Sequence, residues 1–149
     1  MDMTFNKAID FVKEHIKGTR KGSDIPQYQH SINVAQILFE TGQFNGYVVE
    51  AGLLHDILED TDITSSKLVR FGVLDETIRI VELCSHDNDD DNSDARYLSM
   101  LANLVRAEDQ DAWAVKLADT RMLKNLKNIT EIRFPKFVVI APRDIKIIP

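Results

Sequence analysis

An all-α fold is what this sequence predicts, and three observations predict it. Hydrophobic residues recur at intervals of three and four along most of the chain, glycine and proline interrupt those stretches at helix-like lengths, and no segment alternates as a strand before the tail. At 149 residues and 44% hydrophobic, the chain suits one domain over 1–149, with a helical core from about 4 to 128 and a tail over 129–149.

Each element has its own reason. Phe5, Ala8, Ile9, Val12 and Ile16 share one helical face, and Gly18 follows where that helix would end. Gly18 to Gln27, polar and carrying Pro26, reads as a loop. Gln29 to Glu40 resumes the helical period with Ile32, Ala35, Leu38 and Phe39 inward, and it places His30 on its first turn. A third helix is expected from Tyr47 to Asp60, broken by Thr61 to Thr64. A short helix ending at Phe71-Gly72 and a fifth over Leu74 to Leu83 follow. His86 to Asp94 reads as a flexible acidic loop. Its Asp87, Asp89 and Asp91 mimic alternate calcium ligands, but Asn92 and Leu98 stand where an EF-hand loop needs Gly and Glu. Ala95 to Ala107 and Asp111 to Asn128 supply two more helices. Phe134 to Pro149, with three prolines, is extended or irregular.

Composition narrows the class. One cysteine, Cys84, excludes an intramolecular disulfide and suits a small buried residue in a reducing compartment. Met1 to Phe11 lacks the apolar core of a signal peptide, and no apolar run has membrane length, so a cytoplasmic protein with no membrane partner is expected. A net charge of −6 argues against nucleic acid as a partner, while a small anion remains compatible where a few cations converge.

The chemistry concentrates in Ala51-Gly-Leu-Leu-His-Asp-Ile-Leu-Glu-Asp-Thr61. His55 and Asp56 sit among Leu53, Leu54, Ile57 and Leu58, where unpaired polar groups are costly unless something compensates them. A divalent cation would do so. On a continuous helix Glu59 stacks on His55 and Asp60 on Asp56, giving four functional groups along one rim. Two ligands do not complete a metal site, so further ones must come from elsewhere. His15, His30 and His86 are candidates, as is Asp119, a lone carboxylate on the apolar run Ala114-Val-Lys-Leu-Ala-Asp119.

His30, His55-Asp56 twenty-five positions later, and Asp119 resemble the H…HD…D pattern of the HD-domain metal-dependent phosphohydrolases. The run His-Asp-Ile-Leu-Glu-Asp-Thr closely resembles the signature of the RelA/SpoT-type (p)ppGpp hydrolases, including their small stand-alone members. Arg20-Lys21 ahead of Pro26-x-Tyr28 and Val34-Ala35 resembles the opening motif of the same family. The resemblance spans about Phe5 to Asn128. It implies an HD-domain helical bundle in which His30, His55, Asp56 and Asp119 hold one divalent ion, usually Mn2+. Glu59 and Asp60 would then position or deprotonate the attacking water, releasing pyrophosphate from the 3′ position of a small phosphorylated nucleotide.

By the same resemblance Arg20 and Lys21 line the nucleotide site, with Arg96 and Lys116 as further substrate-binding candidates. The chain departs from the family after Asp119, where Thr120-Arg-Met-Leu123 stands in place of a run ending in Asn. Ser31 likewise replaces the Pro that follows the first His. The alternatives are therefore an HD-type phosphatase acting on nucleoside monophosphates or NADPH, and a nucleotide-binding regulatory module with weak turnover. The competing structural readings are a buried hydrogen-bonded pair at His55-Asp56, a partner for Lys116 or Arg121 at Asp119, and a solvated loop at Arg20-Lys21. His15 and His86 read as structural or exposed. Whether the chain forms a homo-oligomer is left open.

Overall fold

In a computed structural model, residues 5–41, 44–85, 93–120, 137–141 and 144–148 are described. Eight helices occur among them, in the order α1 (Phe5–His15), α2 (Gln27–Thr41), α3 (Gly46–Leu54), α4 (Ile57–Asp60), α5 (Ser65–Arg70), α6 (Asp75–Leu83), α7 (Ser93–Ala107) and α8 (Gln110–Asp119). The all-α expectation holds. The described parts of the tail are extended, β1 (Phe137–Ala141) and β2 (Asp144–Ile148) pairing antiparallel with Phe137 opposite Ile148 and Ala141 opposite Asp144.

The helices form because their apolar faces meet. Ala8 and Val12 of α1, Val34 and Leu38 of α2, Val48 and Leu53 of α3, Ile80 of α6 and Trp113 of α8 belong to one buried cluster. α3 lies at the centre, packed against α1, α2, α6 and α8. Its approach to α2 depends on Gly52. A Cβ added there would stand 2.5 Å from Leu38 Cδ1 and 3.3 Å from Val34 Cγ1, so only glycine lets the two helices come this close. Cys84 is buried as expected, and burial pushes its thiol up to about 12.

Helix ends follow local chemistry. Thr64 accepts from the Lys67 N–H to start α5, and Asp109 accepts from the Ala112 N–H at 3.1 Å to start α8. Asp109 also pairs with Arg79 of α6 at 2.9 Å, tying the start of α8 to its neighbour.

Three expected boundaries are corrected. The single helix Tyr47–Asp60 is two helices, α3 and α4, with a turn at His55-Asp56. There the His55 ring takes the Gly52 carbonyl at 2.7 Å, the acceptor that an unbroken helix would offer to the Asp56 N–H, and Asp56 relaxes to φ −95°, ψ −1°. Ser93 and Asp94, expected in the acidic loop, begin α7; the rest of that loop lies outside the described residues. α8 closes at Asp119, where the Thr120 hydroxyl donates to the Leu117 carbonyl at 2.9 Å, so the helix expected through Asn128 stops early. Positions 121–136, Leu123 among them, lie outside the described residues.

Candidate metal centre

Three segments of the chain converge on one point. His30 comes from the first turn of α2, His55 and Asp56 from the turn between α3 and α4, and Asp119 from the last turn of α8. His30 Nε2 lies 2.7 Å from Asp119 Oδ1. The rings of His30 and His55 meet edge to face with centroids 5.3 Å apart. One ligand atom from each of His30, His55 and Asp56 falls within 4.8 Å of the others, the spacing of a cation site.

The geometry at His55 tests whether the cluster fits a metal. The Gly52 carbonyl can only accept, so Nδ1 carries a proton and Nε2 is the nitrogen left to face the carboxylates, with a lone pair whenever the ring is neutral. That buried Nε2 makes no hydrogen bond, although Asp56 Oδ2 lies at 3.2 Å and Asp119 Oδ1 at 3.4 Å. A lone pair facing two carboxylates is repulsive unless a positive charge sits among them. An imidazole that donates one N–H to a backbone carbonyl while aiming the other nitrogen at oxygen ligands is the arrangement of a metal-bound histidine. Two imidazoles and two carboxylates suit a first-row divalent cation and leave positions for water and substrate. The donor set fits.

Electrostatics agrees. Burial alone would lower the pKa of His55, but the charges of Asp56 and Asp119 raise it well above its ordinary value, so without a metal the site recruits a proton instead. Burial would raise Asp119, yet His30, His55 and Lys116 hold its carboxyl far below the usual range. Asp56 is lowered in the same way, the His55 contact outweighing burial. Asp60 moves oppositely. Burial and the charges of Asp56 and Glu59 raise it to about 6.

Beyond α4 lies an open cleft of about 780 Å³. Glu59, Asp60 and Asp62 line it together with His15, Lys17, Lys67, Arg70 and Phe71. Of the expected site residues, the structure thus brings His30, His55, Asp56 and Asp119 together and sets Glu59 and Asp60 beside them on α4. Lys116 is not at the cleft. It is buried, with its ammonium 3.1 Å from Asp119 Oδ2, so it holds a ligand from behind. Arg20 and Lys21 occupy the loop before α2, which hydrogen bonds from Arg20 N to Ile25 O and Gln27 N to Gly18 O close into a turn, and neither lines the cleft. Arg96 is on α7, and its side chain lies outside the described residues.

Sequence reasoning missed Lys17, Lys67 and Arg70. Lys67 and Arg70 sit one helical turn apart on α5, which was the available signal. His15, read as structural or exposed, also lines the cleft while donating from Nδ1 to the Phe11 carbonyl at 2.9 Å.

The HD-domain family model matches residues 8–137. The chain belongs to the HD-domain family. Within that family, the guanosine-3′,5′-bis(diphosphate) 3′-pyrophosphohydrolase of Aquifex aeolicus is 30% identical over 147 residues, covering 95% of this HD-domain chain and 20% of the relative. The human enzyme of the same name, MESH1, is 38% identical over 85 residues, 54% of this chain and 46% of its own. A solved structure titled as a metazoan ortholog of SpoT that hydrolyses ppGpp superposes with a TM-score of 0.66 at 28% identity, over 77% of this chain and 65% of that one. This HD-domain chain therefore spans from a fifth to about two thirds of the length of these relatives.

Proposed function

We propose that this HD-domain protein hydrolyses (p)ppGpp, using one Mn2+ ion to release pyrophosphate from the ribose 3′ position. The observation that carries the reading is the unpartnered Nε2 of His55, buried between Asp56 and Asp119 and next to His30. Its support from similarity is that relatives covering most of the chain's core bear the name of that hydrolase. The reading takes residues 1–149 as one domain, a phosphorylated nucleotide as partner, and the cytoplasm as location; among the described residues no helix is long and apolar enough to cross a membrane.

His30, His55, Asp56 and Asp119 would hold the ion. When bound, it supplies Lewis-acid polarisation of a phosphate oxygen and lowers the pKa of water. The remaining steps belong to side chains. Lys116 keeps Asp119 ionised and oriented. Asp60, with a carboxyl raised to about 6, accepts the proton from the attacking water close to neutral pH, assisted by Glu59. As the water oxygen bonds to phosphorus, the bond to the ribose 3′ oxygen breaks and that oxygen takes up the proton that Asp60 received from the water. Arg20 and Lys21 would meet the nucleoside end from the loop preceding His30.

The test is turnover of (p)ppGpp, NADPH and a nucleoside monophosphate panel by the purified chain with Mn2+. Pyrophosphate release from (p)ppGpp, lost on chelation and in Asp119→Ala, is expected. Orthophosphate release from monophosphates or NADPH in its place would overturn the substrate, and tight (p)ppGpp binding without turnover would make the chain a regulatory module.

A further inference from the structure

The proposed reaction uses only the acidic residues of the cleft. The same cleft carries three cations and an aromatic ring that the mechanism leaves without a task. Lys67 and Arg70 project from α5 and Lys17 follows α1, all three exposed, so two elements distant in sequence deliver positive charge to one concavity. Among the described residues none of the three makes an ion pair, even with Glu59, Asp60 and Asp62 lining the same cleft. In a chain of net charge −6, three unneutralised cations in a concave site are unusual and attract an anion strongly. The wall behind them is fixed. Phe71 packs edge-on against Phe11 with centroids 4.8 Å apart, and Phe11 in turn packs on His15 at 4.3 Å, anchoring the junction of α5 to α1.

We propose that Lys17, Lys67 and Arg70 form a diphosphate subsite that receives the outer phosphate of the scissile group while its inner phosphorus lies beside Glu59 and Asp60. The proposal rests on the hydrolase reading and gives it a selectivity. Arg70 offers the planar fork that matches phosphate oxygens, and Lys17 and Lys67 act as point charges on either side. A diphosphate spans from the carboxylate pair to this wall, whereas a monophosphate engages one or the other. The subsite therefore favours pyrophosphate release over orthophosphate release, and the same residues retain pyrophosphate as product.

Binding of inorganic pyrophosphate to the full chain, measured calorimetrically in chelator, reads this site without turnover. The wild type is expected to bind pyrophosphate more tightly than orthophosphate, with affinity falling as salt rises. Lys67→Gln/Arg70→Gln, two exposed positions whose loss spares the core, should weaken it by at least about tenfold, while Arg106→Gln at the end of α7 should not. In turnover the double variant should raise KM for the diphosphate substrate more than it lowers kcat. No saturable pyrophosphate binding by the wild type, equal affinity for orthophosphate, or an unchanged double variant would each overturn the subsite. Pyrophosphate binding that the double variant abolishes, in a chain that does not hydrolyse (p)ppGpp, would leave the subsite and remove the hydrolase reading; turnover with an unaltered KM in the double variant would do the reverse.

Discussion

Gly52→Ala tests how the metal centre is set by helix packing. The new methyl would stand 2.5 Å from Leu38 Cδ1, about 0.9 Å inside ordinary contact at 3.4 Å, and also 3.3 Å from Val34 Cγ1. Leu38 and Val34 are 0% and 1% exposed, so neither can swing into solvent. Overpacking of this kind costs about 1–3 kcal/mol. In a chain of this length that is a fall in Tm of roughly 2–12 °C. The larger effect falls on the site. α2 carries His30 and α3 leads into His55, so parting these helices by a large fraction of an ångström exceeds the roughly 0.2 Å tolerance of metal–ligand distances. Mn2+ affinity should drop by roughly 10–100-fold, the range seen when ligand orientation is disturbed. Thermal melts with and without Mn2+, and a chelator-competition titration, measure both quantities. Gly46→Ala, where a Cβ meets nothing within 4 Å, is the control and should leave both unchanged. Wild-type melting and wild-type Mn2+ affinity in Gly52→Ala would refute the claim that the α2–α3 approach sets the site.

Three further outcomes are expected. Asp119→Ala should abolish turnover and the stabilisation by Mn2+, which at a hundredfold excess over Kd is about 2.7 kcal/mol for the wild type; an undiminished Mn2+-induced rise in Tm would show that Asp119 is not a ligand. In chelator, the raised carboxyl of Asp60 favours the protonated folded form, so its stabilisation is complete below pH about 4 and is lost as pH rises through about 6. Asp60→Asn should accordingly gain on the wild type in Tm between pH 4 and 7, and parallel pH profiles would count against the shift. Asp109→Ala removes the cap of α8 and the contact to Arg79, and should cost roughly 1–2 kcal/mol in a denaturant titration, with weakened Mn2+ binding because α8 delivers Asp119.

What the sequence disclosed depended on whether the signal was local. Helices α1, α2, α5 and α6 follow from spacing and from Gly18, Gly72 and Thr64 at their ends. His55, Asp56 and Asp119 stood out because each is a polar side chain in an apolar run that needs a reason, while the choice of His30 over His15 and His86 came from the resemblance to the HD-domain pattern. The break after Leu54 was not, because it arises from a ring competing for the Gly52 carbonyl, a contact that periodicity does not encode. Lys116 was a substrate-binding candidate by resemblance alone; its burial and its contact with Asp119 come from tertiary packing, which the sequence does not display. Lys17, Lys67 and Arg70 become a group only when α1 and α5 meet.

The ring of His55 is a wedge as well as a donor. Because it holds the Gly52 carbonyl, it sets the rotational phase of α4, and with it the direction in which Glu59 and Asp60 point. His55→Ala would return that carbonyl to the Asp56 N–H, let α3 run on into α4, and swing the carboxylate pair about the helix axis. A loss of activity on removing this histidine therefore reports two defects at once, whereas Asp119, at the end of α8, can be removed without re-aiming α4.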